Sequence, residues 1–209
     1  MTEPVVPAAP TARGVFIVID GIDGAGKSTQ VDRLCRWLRS QGHQVTQSRE
    51  PTDGRWGKMI RASATTGRLS AADELNAFIE DRREHVATLI QPALAQGEVV
   101  VVDRYFYSTV AYQGLRGTDT GVLLAQMRQQ FPAPDLALFF DLPVDVALQR
   151  ISEHRGDVPN EFEREDALTE IRKTFQQMAT RCAEVEVIDC TPTPDAIAAD
   201  VISRVQRVL

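Results

Sequence analysis

VFIVIDGIDGAGKST, residues 15–29, decides how the rest of the chain is read. Its first six residues are a β-branched apolar run of the kind that fills a buried strand, and Val31, Leu34 and Leu38 recur at helical spacing within the following stretch, 30–42. Between them GIDGAGKST fits the phosphate-binding pattern GxxxxGK[ST] at Gly21, Gly26, Lys27 and Ser28. Strand, glycine loop and helix therefore stand in the order this loop requires. The glycines allow a tight turn that brings successive backbone N–H groups against phosphate oxygens, which a Cβ would obstruct. The helix opening at Gly26 adds its positive end. Gly21, Ile22, Asp23, Gly24, Ala25, Gly26, Lys27, Ser28 and Thr29 thus form a candidate ATP-binding loop. Lys27 would reach the β- and γ-phosphates, and the Ser28 hydroxyl would ligate Mg²⁺.

Outward from the loop the chain alternates. Strand candidates at 44–48, 98–103, 135–141 and 184–189 are separated by helical stretches that include 73–96, 121–131 and 144–153. This alternation predicts an α/β fold of the phosphate-loop NTP hydrolase type: three layers, α/β/α, around a five-stranded parallel sheet. Right-handed crossovers put every strand's C-terminal end on one edge, where such sheets bind ligands. Residues 14–209 read as a single domain. Residues 1–13, broken by Pro4, Pro7 and Pro10, read as a disordered tail and not as a signal peptide. The charged stretch at about 153–166, punctuated by Gly156 and Pro159, reads as a mobile lid closing over ATP.

The 209 residues are 43% hydrophobic and 25% charged, as in soluble globular chains. No apolar run approaches the ~20 residues of a bilayer helix, so no membrane partner is expected. A net charge of −6 argues against nucleic acid, whose binding draws on a basic face. Cys35, Cys182 and Cys190 include no CxxC pair; no disulfide framework or zinc site is indicated, and a reducing cytoplasm fits. Lysine is scarce, with Lys27, Lys58 and Lys173 the only three among 23 cationic residues, and one of them occupies the loop's required position.

Polar groups follow several strands. Asp103 and Arg104 come directly after EVVVV, which places a carboxylate to serve Mg²⁺ beside the loop. Arg49 precedes Glu50 and Pro51 at the second strand's tip, a position suited to a phosphate clamp. Of Asp20 and Asp23, at least one is expected to face a metal ion or a sugar hydroxyl, because like charge repels phosphate. DRYFYSTVAYQG (103–114) gathers Tyr105, Phe106, Tyr107 and Tyr112 beside Thr109 and Gln113, a set that suits a base and sugar pocket as well as packing. Phe78 shares a helical stripe with Leu75, Ile79, Arg82 and Val86 that by itself reads as core. His43, His85 and His154 are too scattered for a metal set and read as incidental.

From about Val15 to the C-terminus these motifs resemble the thymidylate kinases among the phosphate-loop nucleoside-monophosphate kinases. GIDGAGKST is similar to the family's EGxDGxGKST with Asp20 for Glu, and SREP to its TREP. FIEDRREHVATLIQPAL resembles its F-x-A-x-R helix leading to PAL, DRYFYSTVAYQG its DRYxxSxxAYQG, and DLALFFDLPVDVALQRI its PDLxxxLDxPxxxxLxR. Glu84 departs from the usual Gln, and PNEFE replaces a lid motif DRxE.

The resemblance implies transfer of the γ-phosphoryl group of Mg·ATP to dTMP, giving dTDP and ADP, by a homodimer. It implies that Phe78 stacks on thymine, Arg82 hydrogen-bonds O4 and Pro51 lies by the 5-methyl group. Asp23 would bind the 3′-hydroxyl, Thr109 would face the base, and Tyr112 would crowd the 2′ position. Arg49 and Arg104 would hold the acceptor phosphate, and Val110, Ala111 and Leu115 would face a partner subunit. Because no arginine stands between Gly21 and Thr29, the catalytic guanidinium is expected from the lid, Arg155 ahead of Arg150 and Arg164. Another nucleoside or nucleotide kinase of this fold, or a silent nucleotide-binding regulator, would share the loop. A GTP-dependent switch would need the NKxD motif, which the sequence lacks.

Overall fold

The computed structural model describes residues 13–155, 162 and 164–209, with the side chains of 64–66, 154 and 155 outside that description. Strands β1 (Val15–Gly21), β2 (Val45–Arg49), β3 (Val99–Asp103), β4 (Leu136–Asp141) and β5 (Val185–Asp189) form one parallel sheet in the order β2-β3-β1-β4-β5. β1 occupies the centre, with Val15 paired to Val99 on one side and Ile17 to Leu136 on the other. Buried on both faces, β1, β3 and β4 are apolar up to the aspartates near their C-terminal ends, Asp20, Asp103 and Asp141, which is why they read as unbroken runs.

Helices cover the sheet on both faces. α1 (Lys27–Ser40) buries Val31, Leu34, Cys35 and Leu38 and packs against α9 (Pro194–Val205). On the other side α5 (Phe106–Gly114) packs against α6 (Thr120–Gln130) and α8 (Glu165–Ala179), which also meets α7 (Val144–Arg155). α2 (Arg55–Thr66) and α3 (Ala71–His85) form a pair beyond the tip of β2. The helix expected over 73–96 is not uniform: α3 runs through a π-helical segment, Val86–Ile90, into α4 (Gln91–Ala95). Pro92 at the start of α4 lacks an N–H and crowds the preceding turn, so the regular ladder widens there. Ser70, Asp119 and Thr193 cap α3, α6 and α9 by accepting from Asp73, Val122 and Ala196 backbone N–H groups.

The aromatic cluster divides. Tyr105, Phe106 and Tyr107 are wholly buried and join a chain of ring contacts from Phe16 through Phe139 to Phe175. Packing, more than ligand binding, explains them. Val110 and Ala111 are likewise buried in their own chain, which corrects their expected role toward a partner; Leu115 remains partly exposed. The three cysteines are free and buried, and burial pushes Cys35 up to about 11 and Cys190 up to about 12. Among the described residues no helix is long and apolar enough to cross a membrane.

Candidate functional site

The loop between β1 and α1 has the shape its glycines permit. Gly24 has φ 79°, and a Cβ there would lie 2.6 Å from the Ala147 carbonyl oxygen. Gly26 caps α1 at φ 85° in open space, so its side-chain-free, left-handed backbone turns the first N–H groups of α1 toward solvent. Lys27 is buried, and its Nζ donates to the Ile22 carbonyl at 2.7 Å. Burial holds its pKa below the ordinary lysine value; Arg104 adds to that effect, and Asp23, Asp103 and Asp20 oppose it. Ser28 Oγ donates to Asp103 Oδ2 at 2.6 Å, while Asp103 Oδ1 is buried with no partner among the described residues. A hydroxyl beside an orphaned carboxylate oxygen is the oxygen donor set that a hard divalent cation such as Mg²⁺ takes.

Asp23, Gly24, Gly26, Lys27, Ser28, Thr29, Arg49, Asp103, Arg104 and Arg150 line one cavity of about 500 Å³. Ile22 and Ala25 point into the core instead, and Ile22 serves through its carbonyl. Gly21 ends β1 with its carbonyl 3.4 Å from Arg104 Nη1. The cavity also includes Arg61 of α2, which donates to the Pro51 carbonyl at 2.9 Å and to Asp53 at 2.9 Å. Arg61 was not singled out from sequence, because α2 carries no recognised motif.

Asp20 and Asp23 part company. The Asp20 carboxylate is wholly buried and accepts from Gly21 N–H, Tyr105 N–H, Ser108 N–H and the Ser108 hydroxyl. It fastens β1 to the start of α5 and is absent from the cavity walls; burial raises its pKa against those donors and Arg104. Asp23 accepts from Arg104 at 2.5 Å and from the Tyr112 hydroxyl at 2.9 Å. Arg104 adopts φ 67°, a left-handed backbone that costs about 1–2 kcal/mol in a non-glycine residue. That turn aims its guanidinium at Asp23, Ser108 and Tyr112. Burial alone would lower its pKa, but Asp23 with Tyr112, Asp20 and Asp103 prevails and holds it well above the ordinary arginine value.

A second cavity of about 210 Å³ shares Asp23, Glu50, Pro51 and Arg104 with the first and continues past Phe78, Arg82, Thr109, Tyr112 and Gln113. Arg82, 1% exposed, donates through Nε and Nη2 to Glu50 Oε2 at 2.9 and 2.6 Å, and through Nη2 to Thr109 Oγ1 at 2.9 Å. His85 is not incidental. Its Nδ1 lies 3.0 Å from Glu50 Oε1 and its Nε2 lies 2.8 Å from Ser48 Oγ, so the neutral Nδ1–H tautomer satisfies both contacts. Asp81 of α3 accepts from the Thr52 N–H and hydroxyl and anchors the loop that carries Pro51. Glu84 instead faces Arg55 at 3.9 Å on the outer surface.

The candidate catalytic arginines also separate. Arg150 lines the larger cavity and donates to the Cys190 carbonyl at 3.2 Å. Arg155 ends α7 with its side chain outside the described residues, as are 156–161 and 163 of the expected lid. Arg164 is exposed, pairs with Asp166 at 3.3 Å and borders a different cleft.

A phosphate loop at the centre of a parallel sheet, joined through Asp23 and Arg104 to a second, base-sized cavity, defines a phosphate-loop nucleotide kinase. The chain belongs to the thymidylate kinase family, whose model matches residues 19–201. It is similar to the thymidylate kinase of Xanthomonas campestris pv. campestris, 48% identical over 187 residues covering 90% of this chain and 81% of that protein. The thymidylate kinase of Akkermansia muciniphila is 49% identical over 163 residues, 78% of each chain. That of Xanthomonas oryzae pv. oryzae is 46% identical over 184 residues, 88% of this chain and 79% of the relative.

Proposed function

We propose that this protein transfers the γ-phosphoryl group of ATP to dTMP, giving dTDP and ADP, in the supply of dTTP. The observation that carries this reading is the pair of adjoining cavities, one on the phosphate loop and one lined by Phe78, Arg82, Thr109 and Gln113. The relatives named as thymidylate kinases support it.

ATP would lie with its phosphates on the loop, where the N–H groups at the start of α1 and Lys27 meet the β- and γ-phosphates. The acceptor base would enter between Phe78 and the Arg82–Thr109 wall, with Pro51 by the 5-methyl group. Asp23 would take the 3′-hydroxyl and Tyr112 would fill the 2′ side. Arg104 stands where the two cavities meet, Arg49 and Arg61 line the larger one, and the three would hold the acceptor phosphate. That phosphate is already an ionised nucleophile, so the reaction needs no general base; positioning and charge neutralisation supply the rate. Arg150 would place a guanidinium on the transferring group, with Arg155 as the second source. Ser28 and Asp103 would hold Mg²⁺, which when bound with ATP neutralises phosphate charge. A homodimer in the cytoplasm completes the reading.

A coupled ADP-release assay across dTMP, dUMP, UMP, AMP and thymidine tests it. dTMP is expected to be the best acceptor and dUMP modestly weaker, because a missing methyl is worth only ~1–3 kcal/mol. AMP or UMP outrunning dTMP, or no turnover with any acceptor, overturns it.

A further inference from the structure

Glu74 stands in the first turn of α3, 3% exposed, on the wall of the smaller cavity. Its Oε1 accepts from Arg68 Nε and Nη2 at 3.2 and 3.0 Å; its Oε2 accepts from Arg116 and, at 2.9 Å, from Gln113 Nε2. A carboxylate can only accept hydrogen bonds. The Gln113 amide must therefore turn its nitrogen to Glu74, and this neighbour, not a choice between look-alike atoms, assigns its orientation. Its oxygen faces the other way, buried and without a partner among the described residues. Gln113 is itself 1% exposed and lines the cavity, so the unmatched acceptor belongs to the cavity wall.

We propose that Glu74 is a positioning residue for acceptor specificity, acting through Gln113. By fixing the amide it commits this wall to reading a ring N–H donor, while Arg82, which can only donate, reads a carbonyl oxygen. That pair of demands matches N3–H and O4 of thymine or uracil. Cytosine offers the reverse at both positions, a bare N3 and an amino group, and leaves two buried polar groups unmatched. The inference rests on the reading of this cavity as the seat of the acceptor base.

The test measures kcat and KM for dTMP, dUMP and dCMP on the native chain, Glu74→Gln, Gln113→Met and the double variant. In Glu74→Gln two amides face each other and can pair in either sense, so Gln113 is free to turn. The ratio of kcat/KM for dTMP over dCMP should then fall tenfold or more, carried mainly by KM for dTMP. In the Gln113→Met background the same substitution should leave that ratio unmoved, since no amide remains to orient. A ratio within twofold of native in Glu74→Gln overturns the proposal, and so does an equal shift in both backgrounds, which marks a general structural effect. Should Glu74→Gln fail to fold, Glu74→Asp decides, because it keeps the charge but draws the carboxylate back from the Gln113 amide: a tenfold loss of discrimination that is absent in the Gln113→Met background supports the positioning role, and undiminished discrimination overturns it. If the native chain itself prefers dCMP or a purine nucleotide to dTMP, the reading of the cavity fails, and the native assay alone reveals it.

Discussion

Lys27 Nζ donates to the carbonyl of Ile22 at 2.7 Å, which docks the loop's lysine on the loop that carries it. Burial lowers its pKa, so the folded chain binds this proton less tightly than the unfolded chain does. Below the folded pKa the buried ammonium therefore destabilises the fold, and stability rises as pH climbs from there toward the unfolded value. Lys27→Met removes that burden: its melting temperature at pH 7 should equal or exceed the native one, while kcat falls on the order of 10² or more. A thermal melt lowered by many degrees, or near-native turnover, contradicts this account.

Asp103 offers one oxygen to Ser28 and keeps the other unmatched among the described residues. Asp103→Asn preserves shape and removes the charge. Titrating Mg²⁺ against rate should show the half-maximal concentration rising tenfold or more. An unchanged titration would move the ion's site away from Asp103.

Three arginines can be ranked by kcat at saturating ATP and dTMP. Arg150→Ala should lose at least tenfold, because that guanidinium already lines the phosphate cavity. Arg164→Ala, removing an exposed side chain paired to Asp166, should lose little. Arg155→Ala completes the comparison, and if neither Arg150→Ala nor Arg155→Ala reaches tenfold, the added guanidinium has another source.

Glu50 joins Arg82 and His85 in a buried cluster whose side chains are at most 4% exposed. Removing one member of such a pair strands the other's charge, at roughly 3–5 kcal/mol. Glu50→Leu should lower the melting temperature on the order of 10 °C, and His85→Leu by less, since it strands neutral contacts to Ser48 as well as one carboxylate oxygen. A drop of only a degree or two in Glu50→Leu would mean the cluster relaxes without it.

For the proposed homodimer, sedimentation at micromolar concentration should give twice the chain mass. Met59, Leu115 and Val122 are large apolar side chains left exposed on α2, after α5 and on α6. A monomer would contradict the dimer.

β1, β3 and β4 stood out because a parallel strand buried on both faces must be apolar at nearly every position, whereas β2 and β5, at the sheet's edges, are partly exposed and carry polar residues; the ends of all five fall within one residue of the expected ones. α2 was not singled out: Trp56 and Ile60 share it with Arg55, Lys58 and Arg61, a pattern too mixed to mark a core face. α8 carries Leu168, Ile171, Phe175 and Met178 at helical spacing, but the charged stretch that runs into its start masks where the helix begins. Lys27, Ser28 and Asp103 were legible since their chemistry is local to a motif. The roles of Asp20, Glu74 and His85 were not, because each depends on a partner distant in sequence: Ser108, Gln113 and Glu50.

The central position of β1 has a consequence for how the chain is made. Among the described strands β1 is made before its partners, which begin at Val99 and Leu136, and closing such long loops must precede any contact that offsets the lost chain entropy. Until β4 (Leu136–Asp141) emerges, an apolar strand stays open along at least one edge. The nascent chain is thus most exposed to misassembly at its own nucleotide-binding strand, and the loop that follows, seated against the Phe140 and Ala147 carbonyls, takes its final shape only after those residues have been made.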